Sequence, residues 1–424
     1  MGREGCFFET AWTVPVCGRS RCLLRTGRYA HRTQYYGNTI APRMPTHVNH
    51  VEIPELLRTA GYRTLMVGKN HDGYDPTERG YDAWCLVGKW PGYTGPHQSP
   101  EWAGPQARER GMYAVQWYFH PALYTREGGI PTTPEDFGPD LEADYICDFI
   151  QDERDRPFYI YWPTNLPHMM HSAARKWHYT DVPARNAAGE RTGERVPGGL
   201  SADLAYLDFL LGRILDTLEA SGLARDTIVL FAGDNGTAGY GKQRLESEVG
   251  PRVPLVVYGP GRVDAAGPKP DLVDFSDLLP TLAELAGASL PEGYAVDGVS
   301  FAPALRGDGS GGREWIFCQL EEARWLRDRR WLLDGNGHFW DCGTNRDETR
   351  GYRDVTRSED AEVMAARRRF EDILAGIPPI DYEHPLTRER WQQYRASHPP
   401  HTPLPTSVRQ RRGRLTPGSR GCLC

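Results

Sequence analysis

Apolar positions along the chain fall into two alternating rhythms. Leu204, Leu207, Leu211 and Leu215 recur at helical spacing and predict a helix over 201–221. Residues 54–60, 141–154, 274–286 and 361–375 also read as helices. Between them, 64–67, 158–162, 227–231 and 253–258 are short apolar runs that predict strands, the first closed by Gly68 and the last by Gly259-Pro260-Gly261. Strands alternating with helices predict an α/β fold with a mostly parallel central sheet sandwiched by helices. The rhythm changes after the glycine-rich stretch 307–312. The short, turn-separated runs 315–319, 324–326, 331–333 and 338–340 predict a small C-terminal antiparallel sheet, closed by the helix 361–375. From about residue 378 the chain is rich in Pro, Arg, His and Thr without a period, and reads as a disordered basic tail. The expected division is a main α/β domain at 1–309, an α+β subdomain at 310–377 and the tail at 378–424.

Composition narrows the partners. At 424 residues the chain is long enough for a large core, and 39% hydrophobic with 25% charged residues fits a globular protein. Fifty basic against 56 acidic residues leave a net charge of −6, which gives no basis for a nucleic-acid partner. No apolar run is long enough for a membrane span, and residues 1–6 carry no apolar signal-peptide core. Nine cysteines, without CxxC or zinc-like spacing, neither demand nor exclude a disulfide framework.

Candidate chemistry gathers where strands end and helices begin. Cys17 stands at the expected start of a helix, where unpaired N–H groups favour an anion, and Arg21 is one turn further on. Lys69 and His71 follow the strand 64–67, two residues apart, so on an extended segment both project to one side and can face one anion. His168 follows the strand 158–162 and is suited to general acid work, as are its neighbours His171 and His178, among which chemistry alone does not choose. Asp234 and Asn235 end the strand at 227–232, and two adjacent oxygen side chains there suit a hard cation.

The segment from Cys17-Gly18-Arg19-Ser20-Arg21 to Thr26-Gly27-Arg28 resembles the signature of the sulfatase family, which reads Cys-x-Pro-Ser-Arg, three residues, then Leu-Thr-Gly-Arg. Gly68-Lys69-Asn70-His71 resembles that family's Gly-Lys-x-His element, Pro167-His168 its Pro-His element, and Asp234-Asn235-Gly236 its metal-binding turn. Lys242 is similar to its loop lysine. The resemblance implies an alkaline phosphatase-like fold and hydrolysis of a sulfate monoester, carried by a small molecule or a carbohydrate. It implies that a maturation enzyme converts Cys17 to formylglycine, whose hydrated aldehyde attacks sulfur. Arg21, Lys69, His71, His168 and Lys242 would then neutralise charge, with His168 protonating the leaving oxygen. Asp234, Asn235 and the modified Cys17 would hold calcium. The alternatives are a phosphate or phosphonate ester hydrolase of the same superfamily, or a truncated relative without activity. Two departures stand out. Arg19 occupies the family's proline or alanine position. Only sixteen residues precede Cys17 and none is aspartate, whereas the family opens with a strand ending in paired aspartates that complete the calcium site. The expectation is of a chain with an incomplete beginning, and the sequence assigns no compartment.

Overall fold

The computed structural model describes residues 1, 4–37, 50–70, 75–88, 117–172, 176–237, 240–264, 267–308, 312–344, 351–385 and 387–388. His71 and most of the expected tail lie outside them. The chain divides into two compact units, one formed by 1–56 and 228–424 and the other by 57–227.

The first unit is built around the strand Cys6–Trp12. It pairs antiparallel with Arg252–Val253 and Leu255–Tyr258, and parallel with Gly267–Asp274. Leu255–Tyr258 in turn pairs antiparallel with Val229–Ala232. Pro254 has no N–H to donate, so the single run expected over 253–258 is two strands instead. Trp12, Val257 and Phe275 are fully or almost fully buried in the core beneath this sheet. The chain then turns at Pro15 into the helix Cys17–Thr26. Gly27, at φ 64°, ends that helix in the left-handed conformation and donates its N–H to the Leu23 carbonyl. The helix packs against the turn Phe275–Asp277 and the helix Leu278–Ala286. In the same unit, Ile316–Leu320, Ala323–Arg327, Trp331–Leu333, Phe339–Asp341 and Arg353–Asp354 form the expected antiparallel sheet in sequence order. The helix Ala361–Ala375 follows it, as the sequence predicts.

In the second unit the strand Arg63–Gly68 lies between Ala83–Val87 and Phe158–Tyr161 and is parallel to both. Leu123–Thr125 and Gly128–Ile130 extend this sheet antiparallel. The helices Gly138–Asp152 and Leu200–Ala220 pack on one another. The fold is thus mixed α/β with several sheets, and among the described residues parallel pairing is confined to Cys6–Trp12 with Gly267–Asp274 and to Arg63–Gly68 with its two neighbours. Among the described residues no helix is long and apolar enough to cross a membrane.

Candidate active site

In the first unit the expected groups converge on one helix end. Cys17 is the first residue of its helix and is 3% exposed. No side chain caps this end and no acid sits in its first turn, so the positive pole of the helix is not offset locally. The Ser20 hydroxyl lies 2.5 Å from Thr13 Oγ1, which fastens the first turn to the end of the strand Cys6–Trp12. Arg21, one turn on, donates from Nε and Nη2 to Asp234 Oδ2 at 2.9 and 2.7 Å. Asp234 follows the strand Val229–Ala232, so the first helix and the strand-end acid meet, although 213 residues separate them. Asn235 turns its amide nitrogen to the Gly236 carbonyl at 2.8 Å. Its Oδ1 is buried and has no partner among the described residues.

The loop that carries Lys242 folds back toward Cys17. Thr237 O accepts from the N–H groups of Tyr240, Gly241 and Lys242, and Gln243 N donates to Pro15 O at 2.8 Å. A Cβ on Gly236 would sit 2.5 Å from the Gly241 Cα, so only glycine permits this closure. Lys242 is half-buried, next to the residue that bonds Pro15.

In the second unit Lys69 and His168 follow the carboxyl ends of neighbouring parallel strands, where α/β sheets bind ligands. Gly68 has φ 100°, and a Cβ there would meet the Pro163 carbonyl at 2.8 Å. Glycine therefore lets Lys69 N donate to Pro163 O at 3.0 Å. Lys69 Nζ lies 4.9 Å from the centroid of the Trp117 ring, and the same ring meets His168 edge-on at 5.2 Å. His168 Nδ1 is 2.7 Å from the Met169 carbonyl, which fixes that nitrogen as the N–H donor. The Tyr118 hydroxyl lies 2.9 Å from the Asn165 carbonyl and 2.5 Å from that of His168. His168 is thus braced by buried aromatic residues, whereas the side chain of His171 lies outside the described residues.

Two acids escaped the sequence reading. Glu248 is fully buried and accepts from Trp12 Nε1 and Arg252 Nη1 at 3.0 Å each, with Arg327 Nη1 at 3.3 Å and the Tyr352 hydroxyl also on it. It ties the lysine loop to the first strand and to the C-terminal sheet. Glu142 is fully buried under Gly68 and accepts from Trp162 Nε1 at 2.9 Å. Burial pushes its carboxyl up to about 8. Its signal in the sequence was an acid in register with Ile146, Phe149 and Ile150 on the buried face of a helix.

Calcium was expected at Asp234 and Asn235. Among the described residues no three His, Cys, Asp or Glu side chains cluster as metal ligands. The orphaned Asn235 Oδ1 beside the Asp234 carboxylate does fit a hard cation, as part of a ligand set.

A model of the sulfatase family matches residues 1–288, more than half of the chain. The chain belongs to the sulfatase family. It is 30% identical to human arylsulfatase A over 344 residues, covering 73% of this chain and 62% of that protein. It is 27% identical to mouse N-acetylgalactosamine-6-sulfatase over 341 residues, covering 72% and 60%. The chain thus spans less than two thirds of the length of these curated relatives. Among solved structures, Ps i-CgsB in complex with k-i-k-neocarrahexaose superposes with a TM-score of 0.66 at 20% identity, over 94% of this chain and 91% of that one. This last likeness concerns the fold.

Proposed function

We propose that this sulfatase-family chain hydrolyses a sulfate monoester, R–O–SO₃⁻ plus water giving R–OH and sulfate. The observation that carries the proposal is the anchored pair at the head of the first helix: Cys17 at its N-terminus and Arg21 locked on Asp234. Once converted to formylglycine by a maturation enzyme, position 17 supplies a hydrated aldehyde oxygen as nucleophile. Calcium, when bound, supplies positive charge that offsets the sulfate; Asp234 and Asn235 are the residues that would hold it, with position 17.

Every other step falls to side chains of this chain. The first-turn N–H groups and Arg21 neutralise sulfate oxygens, and Asp234 keeps the guanidinium oriented. Lys242 and Lys69 add charge of the same sign, and the family resemblance assigns His71 to the same task. His168 hands its Nε2 proton to the leaving alkoxide, with Nδ1 held by the Met169 carbonyl. The names of the relatives favour a sulfated carbohydrate as substrate. We propose too that the parallel strands around Arg63–Gly68 belong to a mostly parallel sheet, as the family resemblance implies.

Matched rates on an aryl sulfate and the corresponding aryl phosphate test the reaction class. Protein carrying formylglycine at position 17 should turn over the sulfate at least about 100-fold faster, a gap of about 2.7 kcal/mol in barrier. Equal rates, or faster phosphate cleavage, would instead favour the phosphate or phosphonate hydrolase reading. The cation assignment has its own readout: calcium should raise the Tm of the protein, and Asn235→Leu should shrink that rise.

A further inference from the structure

Arg19 replaces the small residue of the family signature, and the structure gives that replacement a place. Residues two apart on a helix project to opposite sides, so Arg19 points away from the face of Cys17 and Arg21. It is 1% exposed, and neither Nε nor Nη1 has a hydrogen-bond partner among the described residues. A guanidinium cannot shed its proton, and a buried charge without a counter-charge is costly by several kcal/mol, on the order of the desolvation penalty of one ion.

Two further donors share this predicament. Arg324, on the neighbouring sheet, gives Nη2 to the carbonyls of Leu374 and Ile377 at 3.1 and 2.7 Å, but its buried Nε has no partner among the described residues. His31 Nδ1 is buried without a partner as well. Burial first, with Arg32, Arg19 and Arg324 adding to it against Asp297, lowers the proton affinity of His31. His31 and Arg324 flank one aromatic pair, since the Tyr29 ring lies 6.4 Å from the His31 ring and also meets the Phe317 ring that Arg324 faces, and the charge of Arg19 is felt at His31. Their surroundings are apolar: Arg324 Cζ is 5.3 Å from the Phe317 ring centroid, the Tyr29 ring is 5.0 Å from it, and Tyr36 and Cys318 are buried beside Arg19. Four described carboxylates lie nearby, and none forms an ion pair with Arg19: Asp297 is engaged with Arg32 and Tyr29 N, Asp274 with the Tyr29 hydroxyl and Ser276, Asp381 beside Tyr36 accepts from Glu383 N and His384 N, and Glu321 donates its N–H to the Tyr36 carbonyl.

We infer that Arg19, His31 and Arg324 line a niche for one small inorganic anion of the halide class, which supplies the ion pair that no described residue makes with Arg19. Because Arg19 is enclosed, a monovalent ion with a low desolvation cost fits it best. It is a structural ion that lets the signature helix carry Arg19, and it is independent of the reaction proposed above.

The test is the Tm of the full chain in sodium chloride against sodium gluconate at matched ionic strength, for the unchanged protein and for Arg19→Met. Chloride should raise the Tm of the unchanged protein by about 2 °C or more and then saturate, with no saturating rise in Arg19→Met. Identical curves in chloride and gluconate, or an unchanged chloride response in Arg19→Met, would overturn the assignment. A second readout does not depend on the variant folding. Crystals grown in bromide should show anomalous density in contact with Arg19 Nε or Nη1, and its absence would refute the niche.

Discussion

The two units hold their expected reactive groups by different physics. In the first unit a charged group is held by another charged group, Arg21 on Asp234 through two donors to a single carboxylate oxygen. In the second, Lys69 lies over the Trp117 ring and His168 leans on a main-chain carbonyl and the same ring. An ion pair fixes direction but makes each partner depend on the other, since loss of one leaves the second uncompensated. Aromatic rings and carbonyls position a cation or an imidazole without cancelling its charge, which suits groups that must face an anion or release a proton. The contrast predicts strong coupling among substitutions in the first unit and graded, separable effects in the second.

The largest expected effect is loss of the nucleophile. Cys17→Ala should reduce aryl sulfate turnover to background while leaving the Tm nearly unchanged, because the side chain is small and already enclosed. Next comes His168→Asn, expected to lower kcat by about 10²–10³ on substrates with poor leaving groups and far less with an activated phenol. A loss that ignores the leaving group would remove His168 from the acid role.

Arg21→Lys and Asp234→Asn should each cost about 10²-fold in kcat/KM, and the double variant little more than either alone. Additive losses would break the comparison, since they would mean that the pair does not act as a unit. Trp117→Leu should raise KM by about 3- to 10-fold with kcat mostly kept, in line with about 1 kcal/mol for a cation over a ring.

pH acts on stability rather than on turnover. Glu142 stays protonated in the fold up to about 8, against an ordinary value of 4.5. The folded state therefore binds more protons than the unfolded chain between those values, and stability falls as pH rises from about 4.5 to about 8. In Glu142→Gln the fall of Tm across that window should be shallower than in the unchanged protein. Parallel curves would show that Glu142 is not the group responsible.

Much of this arrangement was legible in the sequence. The predicted helices at 54–60, 141–154 and 201–221 match Ile53–Thr59, Gly138–Asp152 and Leu200–Ala220 to within three residues, because their apolar stripes are regular. The signature helix and the Asp-Asn turn were legible through their resemblance to the sulfatase motifs, since a lone Cys17 reads as a buried small hydrophobe and a lone Asn-Gly as a simple turn. Strands were lost where local signals misled. Gly267–Asp274 contains two prolines, which it tolerates because, among the described residues, it pairs in the sheet with Cys6–Trp12 alone. Cys6–Trp12 has a register shift between Phe8 and Thr10, which breaks the alternation that would have announced it as a central strand. The role of Glu248 was illegible for another reason: its partners Trp12, Arg327 and Tyr352 are distant in sequence, and no local pattern encodes them.

The most direct measurement is the fraction of chains carrying formylglycine at position 17, read by peptide mass spectrometry across preparations made with and without a maturation enzyme, set against aryl sulfate turnover of the same preparations. The account predicts turnover proportional to that fraction and passing through zero. Turnover that is independent of it, or that persists in Cys17→Ala, would contradict the assignment of Cys17 as the source of the nucleophile.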